Sequence, residues 1–370
     1  MQPCFNSAVQ RMLLWVLLLP GTGCYRQVSI FDTEDPDIPL PADTSTTASP
    51  DTAEFPELET DSVSETVADS DAVPTKCGGT IVFADPKLEA TIRLAIIKPE
   101  GDITDADVEN LTVLNAYDDG ISDITGIECL TALTSIDLGA NRVSDLSPLK
   151  DLTALETLRL FHNSVSDISP LIGLTRLTML HLAENHVSDI SVLAALPHLT
   201  ELILNGNRIS DLSPLTALTA LTHLDLGANL ISDISPLAGL TRLTSLHLYF
   251  GTIEDITPLS DLTNLTELFL SYNQIIDLSA LADMKNLNSL DLGNNRIRDL
   301  PPIKELTGLT LLDMSGNDIT DISPLVHNSG LDRADRVYLS NNPLDCDDPT
   351  VASAFAALQD RGVLIETDCE

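Results

Sequence analysis

The chain has 370 residues, with 56 acidic against 19 basic side chains and a formal net charge of −37. Such a field repels a phosphate backbone at every approach, which argues against nucleic acid as a partner. Aromatic residues make up only 4%, so any core must come from many small aliphatic contacts rather than a few large rings.

Residues 1–23 read as an export signal, with Arg11 ahead of the short apolar run Met12 to Leu19 and small residues before Cys24. That run is too short to span a bilayer. Gly21-Thr22-Gly23-Cys24 resembles the lipobox of bacterial lipoproteins, which implies acylation of Cys24 and a membrane anchor. Gly21 stands where such boxes carry leucine, and the alternative is plain secretion with Cys24 as a free or paired thiol. Residues 24–76 are rich in Ser, Thr, Asp, Glu and Pro and have too little apolar surface to offset an ordering entropy of about 1–2 kcal/mol per residue. This stretch is expected to be a disordered acidic tether.

Residues 77–129 are expected to form a cap and a partial repeat. Asp85-Pro86 predicts a helix start, with Leu88, Ile92, Ala95 and Ile96 on one face. Thr104 and Asp107 predict a second, shorter helix start, and a partial unit runs from Leu111 through Ile127.

From Leu130 to residue 327 the chain repeats every 22 residues, in nine units without a gap. One unit begins at Leu152 and carries Leu155, Leu158, Leu160, Asn163, Val165, Asp167, Ile168 and Leu171. Around each Leu-x-Leu, alternate side chains point to opposite faces, so a short strand buries its leucines and presents the residues between them. Proline in Ser-Asp-Ile-Ser-Pro fixes the backbone and removes a donor, which predicts a short helical or extended return. One coil cannot bury enough apolar surface to fold alone, so stability must come from stacking. Asn141, Asn163, Asn185, Asn207, Asn229, Asn273, Asn295, Asn317 and Asn342 recur after the strand, and a column of buried amides can bond the backbone of the adjacent coil. The recurring aspartates, Asp145 through Asp321, are expected to bond locally within the return turn.

This wording resembles the internalin class of bacterial leucine-rich repeats, over about residues 78 to 370. The resemblance implies an α/β solenoid: a curved parallel β-sheet with short convex returns and helical N-terminal and C-terminal caps. The stretch from Phe83 through Thr104 resembles the helical cap of internalin-like proteins. Residues 328–370 are expected to hold a degenerate terminal repeat and a second cap. There Asp348-Pro349 opens a helix to about Arg361, Gly362 ends it, and Val351, Phe355 and Leu358 close the core.

Past Cys24, four cysteines remain: Cys77, Cys129, Cys346 and Cys369. Nine strands at about 4.8 Å put the two ends roughly 40 Å apart, whereas a bridge needs Cα atoms within about 7 Å. Geometry therefore selects Cys77–Cys129 and Cys346–Cys369, which an exported chain permits. Neither pair has the short spacing or neighbouring histidines of a zinc site, so no metal is expected.

Two zones of the expected concave face carry unusual side chains. The early one holds Arg159, Phe161, His162, Met179, His181 and Glu184; the later one holds His223, His247, Tyr249, Phe250, Phe269 and Tyr272. Gly251 breaks the asparagine column beside the later zone. In a chain so poor in aromatics, this clustering marks Arg159, Phe161, His181, His223, His247, Tyr249, Phe250, Phe269 and Tyr272 as candidate contacts for a protein or cell-surface ligand. The histidines lie in spaced coils and different columns and are read as solvated rather than as metal ligands or pH sensors. No phosphate loop, Gly-x-Ser-x-Gly elbow or His-Glu-x-x-His motif is present, so neither an enzyme nor a cofactor is expected. The alternative to recognition is a structural envelope component with no specific partner.

Overall fold

The computed structural model describes residues 77–369. The export segment, Cys24 and the acidic stretch to residue 76 lie outside the described residues. No helix among the described residues is long and apolar enough to cross a membrane.

Twelve three-residue strands form one sheet in chain order. They are β1 (Val113–Asn115), β2 (Ser135–Asp137), β3 (Thr157–Arg159), β4 (Met179–His181), β5 (Glu201–Ile203) and β6 (His223–Asp225). There follow β7 (Ser245–His247), β8 (Glu267–Phe269), β9 (Ser289–Asp291), β10 (Leu311–Asp313), β11 (Arg336–Tyr338) and β12 (Leu364–Glu366). Every neighbouring pair is parallel, and from β1 to β10 each strand meets the residue 22 positions on, as Leu158 meets Leu180. The partial unit supplies β1, the nine repeats supply β2 to β10, and the degenerate unit supplies β11.

The strand leucines are fully buried, stacked with the leucines, isoleucines and valines of the returns into one continuous core. After each Asp-Ile/Leu pair of the repeats except the last the chain makes a short 3-10 turn, such as Ser169–Gly173 and Ser213–Ala217. Asp167 Oδ1 accepts the Ser169 N–H at 2.8 Å, and the same bond recurs through Asp321 and Ser323. Asp299 is the exception in kind, because two residues on stands Pro301, which has no N–H.

The asparagine column bonds as its position demands. Asn185 Nδ2 donates to the carbonyl of Leu160 in the preceding coil at 2.9 Å and to Leu182 of its own coil at 3.1 Å, while its Oδ1 accepts the Val165 N–H at 2.9 Å. A second ladder is absent from the sequence reading: the threonine ahead of the strand donates its hydroxyl to a carbonyl 22 residues back, as Thr178 does to Glu156 at 3.1 Å.

Helices close both ends. At the front, α1 (Pro86–Ala95) is capped by Asp85, whose Oδ1 accepts the Lys87 N–H and whose Oδ2 accepts the Ser122 N–H, each at 2.9 Å. Leu88 and Ile92 are buried, Ile96 is half-buried and Ala95 is exposed; Ile81 and Phe83 complete the lid instead. The expected second helix is α2 (Asp105–Val108), with Thr104 and Asp107 forming a reciprocal cap. At the back, the last return becomes α3 (Ser323–His327), and α4 (Pro349–Asp360) buries Val351, Phe355 and Leu358 before Gly362 turns the chain at φ +89. The chain then returns as β12, a strand that lies outside the repeat pattern. Its register is offset 28 residues from β11, the length needed to accommodate the intervening helix. Cys77–Cys129 and Cys346–Cys369 are paired, with Cα atoms 5.2 and 5.3 Å apart.

Candidate functional site

On β1 to β11 the middle residue, leucine except for Ile136 and Val337, points inward and its two neighbours stand on the concave face, where parallel pairing lines them up in columns. One column reads Arg159, His181, Ile203, Asp225, His247, Phe269, Asp291 and Asp313 across β3 to β10. Beyond the next buried leucine comes a third position, with Phe161, Asn205, Gly227, Tyr249, Ser271 and Gly293 among its members. A left-handed residue follows in each coil, and three of them carry rings: His162 in the early zone at φ +51, and Phe250 and Tyr272 in the later zone at φ +54 and +56, where other coils carry Ala140, Glu184 or Asn294. Left-handed backbone is uncommon for bulky side chains.

In the early zone Phe161 lies back over Gly139, where a Cβ would collide with its ring. The ring is stacked between Tyr117 at 5.7 Å and His181 at 4.7 Å. Burial, reinforced by the charge of Arg159, lowers the His181 pKa to about 4, so this imidazole is neutral. Neither His181 nor Phe161 stands free in solvent; both are half-buried.

In the later zone His247 is also half-buried, which corrects the solvated reading of this histidine. Its Nδ1 lies 3.6 Å from Asp225 Oδ2 and its Nε2 lies 3.3 Å from Glu267 Oε2. Burial alone would lower its pKa, but the bonds and charges of Asp225 and Glu267 outweigh burial and raise it to about 9. His247 is therefore an imidazolium at neutral pH, and it holds Glu267 ionised in turn. Its ring stacks on Phe269 at 4.4 Å and 9°. Tyr249 lies flat over Gly227, whose Cβ would meet its ring, and burial followed by the charges of Asp225 and Glu184 keeps its phenol protonated. Phe250 stacks on Tyr272 at 4.2 Å and 18° and stays 45% exposed. His223 stands apart, exposed, with Nδ1 2.9 Å from Thr222 Oγ1.

Ser245, His247 and Asp225 follow the order of a nucleophile, a base and an orienting acid, and Ser245 Oγ is 3.3 Å from His247 Nε2. The chemistry does not follow. Ser245 Oγ donates to Glu267 Oε2 at 2.9 Å, and an imidazole already protonated at neutral pH cannot accept the hydroxyl proton. The group is an ion-pair network that fixes the aromatic rings above it. Among the described residues no group of three or more His, Cys, Asp and Glu is arranged to hold a metal ion.

Two features of the face went unnoticed in the sequence. Asp291 and Asp313 face each other across β9 and β10, and burial, followed by the charge of Asp313, raises the Asp291 pKa to about 7. Reading the column in register, rather than searching for aromatics, would have found them. The second is why Gly251 replaces asparagine. Its N–H donates forward to the Tyr272 carbonyl at 3.2 Å, and a Cβ there would come within 2.8 Å of Asn273 Oδ1. Glycine is the residue that permits this close approach.

The coils match the family model for leucine-rich repeats in two copies over residues 153–195, 197–239, 263–305 and 285–327. No curated protein matches the chain. Among solved structures, an internalin of Listeria monocytogenes is 34% identical with a TM-score of 0.71, over 78% of this chain and 92% of that one. An internalin C2 from the same organism is 37% identical with a TM-score of 0.55, over 57% of this chain and 95% of that one. A leucine-rich-repeat protein of Leptospira interrogans is 25% identical with a TM-score of 0.53, over 67% of this chain and 57% of that one. With a third of the aligned residues identical along nearly the whole of a solved internalin, the chain belongs to the internalin family of leucine-rich-repeat proteins.

Proposed function

We propose that this chain is a recognition or adhesion module of the cell envelope that binds a protein or cell-surface ligand on its concave face. Contacts are assigned to His247, Tyr249, Phe250, Phe269 and Tyr272 in the later zone and to Arg159, Phe161, His181 and His223 around and before it. Acylated Cys24 and the acidic stretch behind it are proposed to tether the coils to a membrane; without acylation the chain would be secreted. Membership of a family of leucine-rich-repeat binding scaffolds supports the reading.

One observation carries it. Phe250, stacked on Tyr272 and held at positive φ, is 45% exposed beside the half-buried rings of His247, Tyr249 and Phe269. A bulky ring in left-handed backbone costs stability, and such costs persist where they serve a site. Exposed aromatic anchors supply much of the energy of an interface.

Replacing Tyr249, Phe250, Phe269 and Tyr272 together with serine is expected to abolish capture of the partner from envelope extracts and neighbouring cells. Circular dichroism should remain that of the parent chain, because the leucine core is untouched. Undiminished capture by the folded variant would favour a structural envelope component instead.

A further inference from the structure

Nine asparagines join coil to coil in one pattern, each accepting on Oδ1 the N–H of an isoleucine or valine in the preceding coil. Asn229 shows the full set: it accepts from Ile209 N–H at 3.0 Å and its Nδ2 donates to the carbonyls of Leu204 and Leu226, each at 3.0 Å. At Gly251 the rung has no side chain to make these bonds. Moving the Asn229 pattern on by one coil of 22 residues picks out the groups that an asparagine there would serve. They are the Ile231 N–H and the carbonyls of Leu226 and Leu248.

No other side chain takes over. The Ile231 N–H donates to no group among the described residues. The carbonyl of Leu204 accepts from two asparagines, Asn207 and Asn229, whereas that of Leu226 accepts only from Asn229 and that of Leu248 only from Asn273. Thr252 Oγ1, bonded beside the rung, donates to the Ile231 carbonyl at 3.3 Å and not to the unserved groups. The Gly251 N–H is spent forward on the Tyr272 carbonyl. Ile231 is also 2% exposed, where its nine counterparts in the other coils are sealed at 0%.

A buried N–H without an acceptor is rare and costly. The group that completes this rung must accept one hydrogen bond, donate two, and fit where an asparagine side chain stands in the other coils. Water meets all three conditions, and a buried water characteristically makes about three such bonds. We propose that a water molecule is bound in the rung at Gly251, accepting the Ile231 N–H and donating to the Leu226 and Leu248 carbonyls. Two concave contacts cross the same seam and hold its coils together around the site: His247 Nδ1 lies 3.6 Å from Asp225 Oδ2, and the Tyr249 ring lies over Gly227. Phe250 thus stands beside the rung at which an exchangeable molecule replaces a fixed amide. The site lies inside the seam and does not depend on the recognition reading.

The test uses the full chain, isotope-labelled at isoleucine, with the Ile231 amide assigned by Ile231→Val. Nuclear Overhauser transfer from water to each isoleucine amide is then measured. Transfer with the sign of a long-lived bound molecule is expected at Ile231, and none at Ile209 or Ile253, whose N–H groups donate to Asn229 and Asn273. Thr252→Val removes the neighbouring hydroxyl that would otherwise relay such a signal, and should leave the transfer at Ile231 undiminished. No transfer at Ile231, equal transfer at all three amides, or its loss in Thr252→Val would each overturn the proposal.

Discussion

His247 shows how a single side chain can be misjudged without its neighbours. Its folded pKa, raised to about 9, lies above the ordinary value of 6.5, so its contribution to stability is complete below pH 6.5 and is lost as pH rises through 9. A difference of that size corresponds to about 3 kcal/mol. His247→Gln is therefore expected to melt well below the parent chain at pH 6 and to converge on it by about pH 10, as read by thermal melts across that range. Asp291 works in the same direction at lower pH. Its raised pKa of about 7 means that ionisation costs stability as pH climbs from the ordinary carboxylate value. The sequence shows a histidine in a spaced coil; only the register of β6, β7 and β8 places Asp225 and Glu267 on either side of it. The 22-residue period aligns Asp291 with Asp313 and His247 with Asp225, but how deeply these side chains are buried is not visible in residue order, which is why His247 read as solvated and the effect of Asp313 on Asp291 went unnoticed.

At the scale of the coil, the asparagine is the element that joins neighbours where strand bonds end. Asn185→Ala would strand the Val165 N–H in a dry seam, while the Leu160 carbonyl keeps Asn163 Nδ2 as a donor, and is expected to cost about 2 kcal/mol in chemical denaturation. Asp167→Ala, which removes an exposed turn bond, should cost much less. The repeat made these elements legible: strand, return, asparagine column and both lids follow from spacing and from the need to bury leucine. What stayed hidden belongs to places where the period fails. β12 arrives after a helix, and buried Asn328, which donates to the carbonyls of Ile303 and Leu306 at 2.7 and 3.0 Å, replaces a coil-to-coil contact by a different one. The concave aromatics were legible as residues but not in their posture. Phe161 and Tyr249 lie flat because Gly139 and Gly227 leave room beneath them, a relation that spans two coils.

For the whole molecule, the proposed anchor and the recognition face make separable demands. Cys24→Ala is expected to move the chain from the detergent phase to the aqueous phase in a partitioning assay while leaving partner capture intact; a variant that still enters detergent as before would show that acylation of Cys24 is not what holds it. The acidic surplus predicts steering of basic partners that weakens as salt is added.

Both covalent bridges belong to the lids: Cys77 with Cys129 ahead of the nine regular coils, and Cys346 with Cys369 behind them. No sulfur ties one interior coil to another across the array. Whole 22-residue modules could thus be gained or lost by recombination without stranding a cysteine, which leaves the reach of the inner wall free to be adjusted while its closures are inherited unchanged.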